Sequence, residues 1–211
     1  MAGDVKSQAR TRLARAAVVE TARTLFLERG YAVTTIDAIS AVSGVPAPTV
    51  YRLFSSKLGL LKSMLDHAIT GDEEATPLPD RAHVRALLAE PDPRRKLAGF
   101  AAIACDVNER VSLGYTILVS AAASDPQAAA VLDEYRRRRQ DNQGKFARAL
   151  ARTGALRTGT RERDAADVIH ALASPEVYRL FVTDRGWSPD RYRRWLTTTL
   201  TGQLLPEGKD P

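Results

Sequence analysis

In GVPAPTVYRLFSSKLGLL, residues 44–61, a glycine is followed within four positions by two prolines and then by a run with helical apolar spacing. Proline has no amide proton, so Pro46 and Pro48 fit a helix only in its first turn, where amides have no intrahelical acceptor. Gly44, without a Cβ, can take the left-handed conformation that a sharp turn requires. The stretch therefore closes one short helix and opens another, and it cannot be the interior of a long helix or a central strand.

The flanking residues supply the rest of a compact helical module. Val18, Ala22, Leu25 and Phe26 form one face of a first helix over about 13–29, with Gly30 as its stop. Thr34 stands three residues before Asp37, the spacing of a capping box, and Ile36, Ile39 and Val42 predict a second helix over about 35–43. Leu58, Leu61, Met64 or Leu65, and Ala68 predict a fourth over about 57–70. Two short helices joined by a tight turn make a helix-turn-helix. GDEEATPLPD, residues 71–80, reads as a loop. Beyond it, apolar residues recur at spacings of three and four over about 80–89, 93–112, 114–122, 126–152, 162–185 and 188–204. Pro175 should kink or split the 162–185 helix. No sustained period-two alternation appears, so the expected fold class is all-α.

Composition narrows the function classes. With 211 residues, 44% hydrophobic and 27% charged, the chain is an ordinary folded protein of one or two domains. Its longest apolar runs, residues 98–105 and 113–123, fall short of the ~20 residues of a membrane span. The first thirty residues are basic but lack the apolar core of a secretory signal. A transit peptide is the alternative, with Glu20 and Glu28 interrupting its pattern. The single cysteine, Cys105, rules out an intramolecular disulfide framework and points weakly to the cytoplasm. His67, His83 and His170 stand apart, without metal-ligand spacing. No glycine-rich phosphate loop or nucleophile elbow is present, so neither an enzyme nor a resident cofactor is expected.

Charge is placed unevenly. Residues 1–60 carry 8 Lys and Arg against 4 Asp and Glu, whereas the other 151 carry 23 against 21. An N-terminal basic surplus fits phosphate neutralisation, and equally a solvated face. The run Arg136 to Arg139 reads as a solvated helix face.

Residues 30–61, GYAVTTIDAISAVSGVPAPTVYRLFSSKLGLL, resemble the DNA-binding module of TetR-type transcriptional regulators, a likeness that extends over about 13–65. The resemblance implies an N-terminal helix-turn-helix domain, 1–56, and a larger helical ligand-binding and dimerisation domain, 57–211, with the 57–70 helix connecting them. It implies a homodimer on a palindromic double-stranded operator, released by a small-molecule effector. The positions carried over as DNA contacts are Thr35, Ala47, Pro48, Thr49, Tyr51, Arg52 and Lys57. Tyr51 can donate to a phosphate, Arg52 can reach a phosphate or a guanine edge, and Thr49 a thymine methyl, while Val50, Leu53 and Phe54 face inward. Lys57, opening the next helix, can grip a phosphate together with the exposed amides there. A packed tyrosine and solvated cations explain the same residues taken singly. Where the family commonly has Lys-Gly or a similar pair, this chain has Ala47-Pro48. Affinity then leans on Arg52, Lys57 and the arm containing Lys6, Arg10, Arg12 and Arg15.

For the larger domain, Phe100, Ile103, Cys105, Tyr115, Leu118 and Trp187 are candidate ligand contacts. Val168, Leu172, Val177, Leu180, Phe181, Trp195, Leu196 and Leu200 are candidate dimer contacts. Both sets also read as ordinary helix packing. An architectural DNA-binding protein and a helical enzyme are the competing classes, the first disfavoured by the modest charge excess.

Overall fold

The computed structural model describes residues 2–71 and 76–206, with side chains from Ser7 onward. The Lys6 side chain and the acidic heart of the 71–80 loop therefore lie outside the described residues. The chain forms α1 (Ala2–Arg29), α2 (Ile36–Ser43), α3 (Ala47–Phe54), α4 (Lys57–Thr70), a 3₁₀ turn (Leu78–Asp80), α5 (Ala82–Ala89), α6 (Pro93–Ala122), α7 (Pro126–Ala151), α8 (Glu162–Leu172), α9 (Pro175–Tyr178) and α10 (Pro189–Leu204). The described residues contain no strand, as the apolar spacing predicts.

The chain divides into two compact units, one of residues 1–67 with 113–132, the other of 68–112 with 133–211. In the first, Val18, Ala22, Leu25 and Phe26 of α1 are buried as expected, together with Ile36 and Ile39 of α2 and Val50 and Phe54 of α3. Val42, expected to continue the α2 stripe, is instead 62% exposed. At 3.6 residues per turn a spacing of three drifts around the helix, and by the third residue it has left the buried face.

Helix α6 is continuous where a break near residue 113 was expected. Glycine inside a helix costs roughly 1 kcal/mol but does not stop it when packing compensates. A Cβ on Gly114 would lie 3.0 Å from Leu65 Cδ2, so the bare backbone lets α4 approach α6 closely. Helix α1 likewise starts earlier than expected, because the sequence before Leu13 carries no apolar stripe to reveal it. The expected split at Pro175 is present. Ser174 Oγ accepts a hydrogen bond from Val177 N at 3.1 Å to start α9, which passes into a π-helical turn over Arg179–Thr183.

The second unit centres on Leu97, Ile169, Tyr192, Leu196 and Leu200, all fully buried. Three of its buried polar side chains reach backbone carbonyls, as burial favours. Lys96 Nζ donates to Leu88 O at 3.0 Å and Ala149 O at 3.1 Å, Asn108 Nδ2 to Ala173 O at 3.2 Å, and Tyr192 OH to Leu172 O at 3.1 Å. In the arginine run, Arg136, Arg137 and Arg138 are exposed as expected, but Arg139 turns inward. A helix rotates about 100° per residue, so four successive side chains cannot share one solvent face. Arg139 Nη2 donates to His170 Nε2 at 3.1 Å, while His170 Nδ1 donates to Gln143 Oε1 at 2.8 Å.

This pairing favours the neutral imidazole. Burial, then the Arg139 charge, holds its pKa below the ordinary histidine range, against the smaller opposing pull of Glu176 and Asp167. A base with a lowered folded-state pKa binds fewer protons folded than unfolded, so stability falls as pH drops through about 6.5. His170→Gln should flatten the dependence of the thermal midpoint between about pH 5 and 7 relative to wild type. Parallel pH curves for the two proteins would discard this role.

Candidate nucleic-acid interface

The helix-turn-helix is built by three local devices. At the start of α2, Thr35 is the cap, its Oγ1 accepting from Ala38 N at 3.1 Å. The expected cap Thr34 is instead buried, donating through Oγ1 to Gly30 O at 2.8 Å. Adjacent threonines are equivalent in sequence, and only the entry direction of the chain decides which one meets the helix end. Gly44 then closes α2 in the left-handed conformation, φ 69°, donating to Ser40 O at 3.1 Å. Pro46 precedes α3 and its carbonyl accepts from Thr49 N at 2.8 Å and Val50 N at 3.1 Å, with Pro48 in the first turn.

Helix α3 has two faces. Val50 and Phe54 are buried and Leu53 half-buried, as expected. Pro48, Tyr51, Arg52 and Ser55 are exposed at i, i+3, i+4 and i+7, so they share one outward face. Ala47 and Thr49 flank it, half-buried. Thr35 is exposed, and a hydroxyl that accepts in a cap still has its proton to donate.

The corner between α3 and α4 was not visible as a functional feature of the sequence. Ser55 has φ 64°, the only non-glycine residue with positive φ among those described, and its amide donates to Tyr51 O at 2.7 Å. Ser56 Oγ accepts from Gly59 N at 2.9 Å. A Cβ on Gly59 would stand 2.0 Å from Phe54 O, so only glycine allows α4 to pass so close to the end of α3. The available signal was a glycine inside the leucine-rich run KLGLL, which marks a close backbone approach.

Two cations expected at the surface are engaged within the unit. Arg15 places its guanidinium 4.7 Å from the Phe54 ring centroid and donates to Ser63 Oγ. Lys57 Nζ donates to Tyr31 O at 2.7 Å and Ala32 O at 3.3 Å, and lies 4.3 Å from the Tyr31 ring centroid. Lys57 is therefore not the open surface cation that its position suggested. Burial lowers its pKa, opposed by the nearby Asp125 carboxylate, and burial with the same carboxylate pushes the Tyr31 phenol up to about 12. Arg10, Arg12, Arg15 and Arg52 are exposed.

This short, braced helix with a polar outward face has the form that enters a major groove. Residues 18–64 match the family model of bacterial regulatory proteins, tetR family. They form a TetR-family DNA-binding module. Residues 18–64 are accordingly the DNA-binding part of a transcriptional regulator. No curated protein matches the sequence significantly. Among solved structures, the chain is similar to NalD of Pseudomonas aeruginosa, secondary repressor of the MexAB-OprM multidrug efflux pump, with 19% identity and TM-score 0.68 over 93% of this chain and 99% of that one. It is also similar to SmeT, repressor of the Stenotrophomonas maltophilia efflux pump SmeDEF, with 18% identity and TM-score 0.63 over 92% and 91%. KstR2 of Mycobacterium tuberculosis, a ketosteroid transcriptional regulator, gives 18% identity and TM-score 0.60 over 92% and 95%. At these identities the likeness is one of fold.

The expected ligand residues lie outside the TetR-type module. Tyr115 and Leu118 belong to the first unit, and Phe100, Ile103, Cys105 and Trp187 to the second. Phe100 stacks on Phe146 with centroids 4.3 Å apart. Cys105 is buried, donates to Pro189 O at 3.4 Å, and burial raises its thiol to about 11, an unreactive form. Trp187 joins Phe181 and Trp195 in one aromatic cluster, each 4.5 Å from Phe181, which unites residues assigned from sequence to ligand and to dimer contacts. Leu196 and Leu200 are fully buried inside the second unit. They have no area left to bury against a partner, and the expectation that they meet one is corrected. Val168, Leu172, Val177, Phe181 and Trp195 are partly buried and Leu180 is exposed.

Gly59→Ala should destabilise the protein by about 1–3 kcal/mol, because Phe54 O belongs to the backbone and cannot yield as a side chain can. Gly202→Ala is the control, since a Cβ there meets nothing within 4 Å. Equal urea midpoints for the two variants would contradict the close-approach account.

Proposed function

We propose that the chain acts as a homodimeric repressor that binds a palindromic operator and is released by a small molecule. The observation that carries this is the outward face of α3, where Pro48, Tyr51 and Arg52 stand exposed over the buried Val50 and Phe54. On this reading the DNA-binding domain is 1–56 and the ligand-binding and dimerisation domain 57–211. Tyr51 donates to a phosphate, Arg52 reaches a phosphate or a guanine edge, and Thr35 donates its hydroxyl proton to the backbone. Ala47, Pro48 and Thr49 offer small apolar surface to thymine methyls. Two modules related by a twofold axis read two half-sites on one face of the duplex. Val168, Leu172, Val177, Leu180, Phe181 and Trp195 supply apolar surface for pairing.

Release follows if the effector binds more tightly to a conformer whose modules no longer match the half-site spacing, since only differential affinity shifts an equilibrium. SmeT in complex with triclosan, a structure 20% identical with TM-score 0.62, supports an effector that is a small molecule. Such a regulator works in the cytoplasm, and no resident cofactor is required. No helix of the described residues is long and apolar enough to cross a membrane.

Fluorescence anisotropy with DNA from upstream of the protein's own gene, against a scrambled fragment, tests the reading. Binding confined to the native fragment is expected, with Tyr51→Ala and Arg52→Ala each weakening it roughly tenfold or more. Selection from random DNA locates an operator elsewhere. A protein that enriches no palindrome in that selection is not a regulator of this kind.

A further inference from the structure

Ser55, at the end of α3, holds a backbone conformation that side chains disfavour. Its φ is 64° and its ψ −36°, and it is the only non-glycine residue with positive φ among those described. Phe54 O accepts from Ser56 N at 2.7 Å, a hydrogen bond across the single residue Ser55, which makes the corner a γ-turn of the rare, strained hand. Glycine would take this conformation without a clash, so the presence of a side chain needs another reason. Contacts within the chain do not supply one. Ser55 Oγ forms no hydrogen bond among the described residues, whereas the neighbouring Ser56 Oγ accepts from Gly59 N at 2.9 Å.

The position of Ser55 does supply one. It is exposed and shares the outward face of α3 with Tyr51 and Arg52, four and three residues before it. From this geometry we infer that Ser55 is a further DNA contact, its hydroxyl donating to a phosphate oxygen of the operator. Serine hydroxyls are among the groups that hold phosphates, and such a contact fixes the register of the helix without reading a base. The turn presents the hydroxyl already ordered. The Ser55 amide is tied to Tyr51 O at 2.7 Å, and Phe54 O stands where a Gly59 Cβ would be. Little freedom is then lost when the phosphate arrives, and strained backbone clusters at contacts of this kind.

The inference rests on the DNA-binding reading above. Ser55→Ala keeps the positive-φ strain and removes the hydroxyl, whereas Ser55→Gly removes both. Each is measured by fluorescence anisotropy on the duplex that wild type enriches from random DNA, with a urea midpoint to confirm folding. Both should bind roughly three- to tenfold more weakly than wild type, the effect of one lost hydrogen bond. The loss should be uniform over single-base variants of the half-site, as for a phosphate contact. The slope of log affinity against log salt should stay that of wild type, because a neutral hydroxyl displaces no counterion.

Wild-type affinity in either folded variant overturns the inference, and if one variant does not fold the other decides. A slope reduced by about one also overturns it, since that marks a displaced cation rather than a lost hydroxyl. So does a loss that changes with the base sequence of the half-site. A wild type that enriches no duplex sinks the functional reading and this inference with it, whereas a wild type that binds no better than Ser55→Ala sinks the inference alone.

Discussion

The passage of α4 beneath the last carbonyl of α3 sets the geometry of the whole DNA-binding module. Phe54 O lies where a Cβ of Gly59 would be, 2.0 Å away, so the two backbones meet with no side chain between them. That contact allows a two-residue corner at Ser55 and Ser56, with Ser55 held at positive φ, a conformation costing about 1 kcal/mol or more outside glycine. The hydrogen bonds to Tyr51 O and from Gly59 N hold the corner in place. With the corner set, α3 has its rotation fixed about its axis. Val50 and Phe54 turn inward and Tyr51 and Arg52 outward.

Cations then brace what the corner orients. An exposed ion pair is worth little because water and salt compete with it. Arg15 and Lys57 use aromatic faces, carbonyls and a hydroxyl instead of carboxylates. In the second unit the same economy of polar groups recurs, with Lys96, Asn108 and Tyr192 each tied to backbone carbonyls that helix ends leave open.

Most helices were legible because their apolar stripes repeat at the period of the helix and their ends carry glycine, proline or a hydroxyl cap. Pro175 shows this well: its missing amide proton forces an interruption wherever the chain goes. Gly114 shows the limit. The same residue that stops a helix at its end is tolerated inside one when a neighbour such as Leu65 presses against it, and that neighbour is distant in sequence. The candidate site divides in the same way. The outward face of α3 follows from local spacing, whereas the fate of Lys57 depends on two carbonyls 25 and 26 residues away. Leu196 and Leu200 carry an apolar stripe whether it meets the same chain or another, so sequence alone could not place them in the core.

The sequence by itself determined the helical class, the short paired helices, and the turn that Gly44, Pro46 and Pro48 impose, because backbone stereochemistry and period are local properties. Only the tertiary structure decided which threonine caps α2, which arginine of the 136–139 run turns inward, and which cations meet a ring of their own chain. Those outcomes depend on which carbonyls, rings and carboxylates come within a few ångströms, and that proximity exists only once the chain has folded.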